Sequence, residues 1–116
     1  MNLFTDNVTA AIERGLSGVA ERQRVTSNNI ANQATPGFTA TKVDFEADLA
    51  AALEQGDPAA AKTTMSLTTD APGIDGNNVS VEGETTTLIR SGLQYDALVT
   101  ALNYKLNLLH TAITSR

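Results

Sequence analysis

The chain has 116 residues and a mass of 12.2 kDa, enough for one small domain and too little for a multidomain enzyme. Leu, Ile, Val and Phe fill 27 positions, about 23%, just above the roughly 20% below which a charged chain is expected to stay unfolded. A net charge of −5 without any basic cluster removes the electrostatic footprint of nucleic-acid binding, and the absence of Cys excludes disulfides, thiolate metal sites and thiol redox chemistry.

Residues 1–34 read as an N-terminal helix. Phe4, Val8, Ile12, Leu16, Val19, Gln23, Thr26 and Ile30 recur every three or four positions, and Glu13, Arg14, Glu21, Arg22 and Arg24 fill the opposite face. Asp6 and Glu13 stand where a secretory signal needs positive charge and then an apolar run, so no cleaved signal peptide is expected. No 18-residue apolar stretch follows, which argues against direct membrane insertion. The helix should end between Asn32 and Thr35, because Pro36 disfavours helical geometry in the residue before it. Pro36-Gly37 suits the centre of a type II turn, with Phe38 just beyond it.

Residues 35–54 continue as this turn and an extended or short helical segment, in which Asp44, Glu46 and Asp48 alternate with Val43, Phe45 and Leu49. A solvated acidic face explains those carboxylates better than a general acid/base pair does. Residues 55–87 hold few large apolar side chains among Thr, Gly, Pro and Ala, the composition of a flexible or irregular loop. Residues 88–116 read as the C-terminal helix, starting between Thr86 and Leu88. There Leu88, Gly92, Tyr95, Val99, Leu102, Leu106, Leu109 and Ile113 follow a 4-3-4-3 spacing, a heptad seam. Ile89, Leu93, Leu98, Tyr104 and Leu108 lie off the seam. A helix apolar on several sides must be covered on several sides, and a chain this short with a polar middle lacks the material to do so, which points to other subunits.

The expected fold is mainly α: two long terminal helices pair as an antiparallel, coiled-coil-like core and a polar irregular loop lies between them. Catalysis finds no footing in it. His110 has no His or acidic partner at helical spacing, and Asp75-Gly76-Asn77-Asn78 lacks the Gly at position six and the Glu at position twelve of a calcium loop, so it reads as a Gly-Asn turn. Gly15 and Gly18 lie within a helix instead of following a strand, so they serve close packing or are merely tolerated.

The run Ser27-Asn28-Asn29-Ile30-Ala31-Asn32-Gln33-Ala34-Thr35-Pro36-Gly37-Phe38 resembles the N-terminal signature of bacterial flagellar axial proteins, the rod, hook and hook-associated subunits. Val43-Asp44-Phe45-Glu46, the Gly76-Asn77-Asn78-Val79 turn and the stretch from Gly92 to Asn103 are similar to proximal-rod members of the flagellar basal-body rod family. The resemblance implies a non-enzymatic structural subunit that polymerises through its terminal helices into a tubular driveshaft, transmitting torque and enclosing the export channel. It implies no cofactor and no small-molecule substrate. The implied partners are copies of itself, other proximal-rod subunits, the adaptor protein FliE, the MS ring and the flagellar type III export apparatus, which delivers subunits to the periplasmic rod.

In those terms the motif and turn comprise Asn28, Asn29, Ile30, Ala31, Asn32, Thr35, Pro36, Gly37 and Phe38. The helix seam comprises Ile12, Leu16, Val19, Ile30, Leu88, Tyr95, Val99, Leu102, Leu106, Leu109 and Ile113, and the subunit interface Leu93, Leu98, Tyr104 and Leu108. Another proximal-rod subunit is the alternative within the family. A soluble helical-hairpin adaptor or export chaperone is the alternative from a different class.

Overall fold

The computed structural model describes residues 6–115; Phe4, the first member of the N-terminal stripe, lies outside them. Helix α1 (Asn7–Ala31) opens where the Asp6 carboxylate accepts a 2.7 Å hydrogen bond from the Thr9 amide, one of the orphan donors of a helix start. It closes at Asn32, ahead of the Pro36 barrier. Strand β1 (Thr41–Asp44), helix α2 (Glu46–Glu54), a 3-10 turn over Pro58–Ala60 and strand β2 (Thr64–Leu67) lead to the 34-residue helix α3 (Val81–Thr114). The strands pair antiparallel, Thr41 opposite Leu67 and Asp44 opposite Thr64.

Helices α1 and α3 pack antiparallel. As the position on α1 rises from Asp6 through Gly15 and Gln23 to Asn29, its neighbour on α3 falls from Lys105 through Leu98 and Gly92 to Glu84. Along another side α1 packs on β1 and α2, so it is the element the rest of the fold shares. The buried cluster is small: Val19, Val25, Val43 and Phe45, with Leu49 and Leu98 partly buried against it. The radius of gyration is 17.9 Å and the extents 67 × 25 × 14 Å, against about 13 Å for a compact chain of this length. Most of α3 therefore has protein on one side only.

Four expectations change. Helix α3 begins at Val81, seven residues ahead of Leu88. Gly83 and three Thr are weak helix formers, but the Ser80 hydroxyl caps the Gly83 amide at 3.2 Å, Glu82 and Glu84 sit at the positive end of the helix dipole, and Glu84 is tied to Asn29. The 55–87 region is not wholly irregular, since it contains the 3-10 turn, β2 and the first turns of α3. The seam also divides. Leu88, Val99, Leu102 and Leu109 are half-buried, whereas Tyr95, Leu106 and Ile113 are exposed. Finally, Leu98, expected at the subunit interface, packs partly buried within the fold, above Gly15 and beside Val19 and Phe45.

Candidate functional site

The signature run builds a junction in which asparagine side chains do the work of backbone. Asn29, with no exposed surface, donates through Nδ2 to Thr41 O at 2.7 Å and accepts at Oδ1 from the Thr41 amide at 3.1 Å. Its amide thus pairs with β1 as a neighbouring strand would. The second Nδ2 hydrogen reaches Glu84 Oε2 at 3.1 Å, so one side chain joins α1, β1 and α3.

Past Asn29 the helix must end, and its last carbonyls need donors. Asn77, only 8% exposed, supplies two from far along the chain, to Asn32 O and Thr35 O at 2.8 Å each. Its own Oδ1 accepts from the Val79 amide. Asn32 and Thr35 add local bonds, Asn32 Nδ2 to Asn28 O and Thr35 Oγ1 to Asn32 Oδ1.

Thr35-Pro36-Gly37-Phe38 closes as a type II turn. The Phe38 amide bonds Thr35 O at 3.2 Å, and Gly37 takes a φ of +74° that a residue with a Cβ rarely adopts. The Gly76 turn lies directly against it: Gly37 N–H donates to Asp75 O, and a Cβ on Gly76 would come within 3.3 Å of Gly37 Cα. Asn78 completes the junction, accepting from the Ala40 amide at 2.7 Å and donating to Thr68 Oγ1 and Asp70 O.

A second fastening holds α2. The Arg22 guanidinium forms two parallel bonds with the Glu46 carboxylate, at 2.7 and 2.6 Å, donates to Val43 O at 2.7 Å and lies 4.8 Å from the centre of the Phe45 ring. Arg22 lowers the Glu46 pKa, and Glu46 raises that of Arg22, because a bidentate pair favours both charged forms. At the far end of the helix pair, Lys105 Nζ stands 2.6 Å from Asp6 Oδ2. That contact and the Thr9 amide pull the Asp6 pKa from 3.8 to about 2.

The structure thus gathers the signature residues Asn29, Asn32, Thr35 and Gly37 in one junction, while Pro36 forms its exposed tip and Phe38 is half-buried. It brings Ile12, Leu16, Val19 and Ile30 to the buried or half-buried side of α1. Leu93, Tyr104 and Leu108 stand apart from the junction on the exposed side of α3. Asn77, Asn78, Glu84 and Arg22 were not picked out by sequence reasoning as structural ties. Asparagine and glycine clustered at both predicted turns was the available signal, since short amides cap carbonyls in turns.

These groups fasten chain segments to one another and converge on no reacting position. Among the described residues no three His, Asp or Glu side chains are placed to hold a metal ion, and no helix is long and apolar enough to cross a membrane.

Comparison with known proteins agrees with a structural role. Residues 12–39 match the family model described as flagella basal body rod protein. The flagellar basal body rod protein FlgB of Bacillus subtilis is 33% identical, with 98% of each chain covered. FlgB of Aeromonas hydrophila is 31% identical with 92% of each covered, and FlgB of Yersinia enterocolitica 33% identical over 72% of this chain and 76% of its own. The matched region 12–39 carries most of the side of the junction that α1 contributes. The chain belongs to the FlgB family of flagellar basal-body rod proteins, structural subunits and not enzymes.

Proposed function

We propose that the chain is a proximal-rod subunit whose outward α3 face is covered by neighbouring subunits. The observation that carries this reading is the row Ile89, Leu93, Tyr104 and Leu108, which remain 62%, 67%, 66% and 50% exposed. Their spacing of 4, 11 and 4 residues keeps them on one side of a helix with 3.6 residues per turn. Apolar patches rimmed by polar residues mark protein contacts, and the relatives are rod proteins by name.

In this reading the paired helices polymerise into the tube that transmits torque and encloses the export channel. The neighbours are further copies, other proximal-rod subunits, FliE and the MS ring. The flagellar type III export apparatus delivers the chain to the periplasmic side. The asparagine junction fixes where α3 starts relative to α1, and so sets the register in which the outward face is presented.

The test is a photoreactive residue in place of Tyr104, activated in living cells before basal bodies are isolated. Crosslinks to a second copy or to another basal-body component are expected. A chain absent from purified basal bodies, with normal motility on its deletion, would remove the proposal.

A further inference from the structure

The two-stranded sheet leaves one edge without a partner among the described residues, and the hydrogen bonds identify which groups are free. Thr41 gives its N–H and C=O to the Asn29 side chain, and Val43 O accepts from Arg22, so both residues turn their backbone away from β2. Thr41 stands opposite Leu67 and Val43 opposite Met65. Directly opposed residues of an antiparallel pair either exchange both bonds or both turn away. Met65 and Leu67 therefore direct their N–H and C=O groups to the outer edge. The inner ladder runs through Ser66 and Thr64, and the bond from the Thr68 amide to Ala40 O at 2.8 Å extends it.

Side chains and charge mark the same edge. Met65 and Leu67 share the sheet face of Val43, yet Val43 is 4% exposed beneath α1 while they are 53% and 64% exposed. From Thr63 to Thr69 there is no charge, no Pro and no Gly. Edge strands are ordinarily guarded by Lys, Pro or a bulge; β2 has only its four-residue length. The charge nearest its side chains, Arg24 at 3.9 Å from Met65 Sδ, is paired with Glu21, so in a chain of net charge −5 two copies can meet here with little local like-charge repulsion.

We propose that β2 is a self-pairing edge: β2 of one copy adds antiparallel to β2 of a second, about a two-fold axis at Ser66. In that register Met65 of each copy faces Leu67 of the other, and the outward N–H and C=O groups of both residues find partners. The uncovered Met and Leu side chains meet on the α1 side of a four-stranded sheet. Such a contact is isologous and closes as a pair instead of growing into a filament. It buries far less than the roughly 1,000 Å² of a stable interface, so the pair is weak and forms only at high concentration. The proposal stands independently of the rod reading, because it concerns the free chain.

Sedimentation and amide hydrogen exchange on the full chain, over rising concentration, test it. The expected result is a shift from monomer toward dimer, with exchange at Leu67 slowed at least about tenfold as the edge is covered. Met65→Pro removes one outward N–H and no ladder bond, so it should abolish the concentration-dependent slowing at Leu67 and the part of the association that the edge supplies, and leave the helical spectrum unchanged. Leu67→Lys, which guards the edge with a charge, should do the same without a backbone change. Exchange at Leu67 that is independent of concentration, absence of a dimer, or slowing at Leu67 that stays concentration-dependent in both variants overturns the proposal.

Discussion

At the level of single residues, Asn29 has the most concentrated role. Its side chain meets two backbone groups of Thr41 and one oxygen of Glu84 while wholly removed from water. Asn29→Ala would leave the part-buried Thr41 N–H and C=O without their partner and open a gap between α1 and β1, so a loss of about 1–3 kcal/mol is expected from urea denaturation. Asn29→Asp is nearly isosteric, yet it replaces a donor by a carboxylate facing Glu84 and Thr41 O, and it should cost at least as much as the alanine. The Asp6–Lys105 pair makes a prediction in pH. The Asp6 pKa is lower in the folded state, about 2 against 3.8, with Lys105 the main cause and the Thr9 amide the next. Its contribution is therefore present above pH 4 and is lost as pH falls from about 4 to about 2. Glu46 and Glu21 are lowered as well, so acid weakens the fold at several points, and the informative comparison is with Lys105→Met. The urea midpoint of the wild type should fall more steeply over that window than that of the variant; parallel curves would show that the pair contributes nothing.

At the level of elements, the contact between α1 and the β1–α2 corner depends on a missing Cβ. A methyl group on Gly18 would lie 2.5 Å from the Phe45 ring, inside any tolerable contact, and Phe45 is held by the Arg22 guanidinium above it and by the buried cluster around it. Gly18→Ala should gain up to about 1 kcal/mol in helix propensity and lose about 1–3 kcal/mol to overpacking. The expected outcome is net destabilisation, relieved in the Gly18→Ala, Phe45→Leu pair. A double-mutant cycle of thermal or urea melts measures the coupling, and additive effects would mean that Phe45 moves aside freely. The existence and pairing of both long helices were legible in the sequence, because periodicity survives whatever the helix packs against. The inward row of α3 was legible only in part. Apolar spacing selected Leu106 and Ile113, which are exposed, whereas Ser91, 1% exposed, Leu98 and the ion-paired Lys105 face α1. A serine and a lysine at a helix interface leave no hydrophobic signal. Likewise, the signature run and the Gly-Asn turn were visible as separate pieces, but no local pattern shows that Asn77 reaches across to Asn32 and Thr35. That bond exists only once the helices have paired.

At the level of the whole molecule, a chain with few large apolar residues has placed several of them where its own fold cannot cover them. The buried cluster of Val19, Val25, Val43 and Phe45 supports the junction and the corner, while Ile89, Leu93, Tyr104 and Leu108 line a surface open to partners. Anything that binds the folded state alone stabilises it by mass action, so the melting temperature of the wild type should rise with protein concentration. Two surfaces can produce that rise, and substitutions separate them. In a Met65→Pro background the β2 edge is closed, and whatever dependence persists belongs to the helices. Adding Leu93→Asp and Tyr104→Asp places charges on the open face of α3 without touching the junction, and exposed substitutions usually change monomer stability by no more than about 0.5 kcal/mol. Those two changes should leave the dilute helical spectrum and melt as they were and remove the remaining concentration dependence. In cells the Leu93→Asp, Tyr104→Asp chain should accumulate while motility fails. Restored motility with both charges in place would mean that the rod does not use this face, and a variant that no longer folds when dilute would mean that the face belongs to the monomer's own packing.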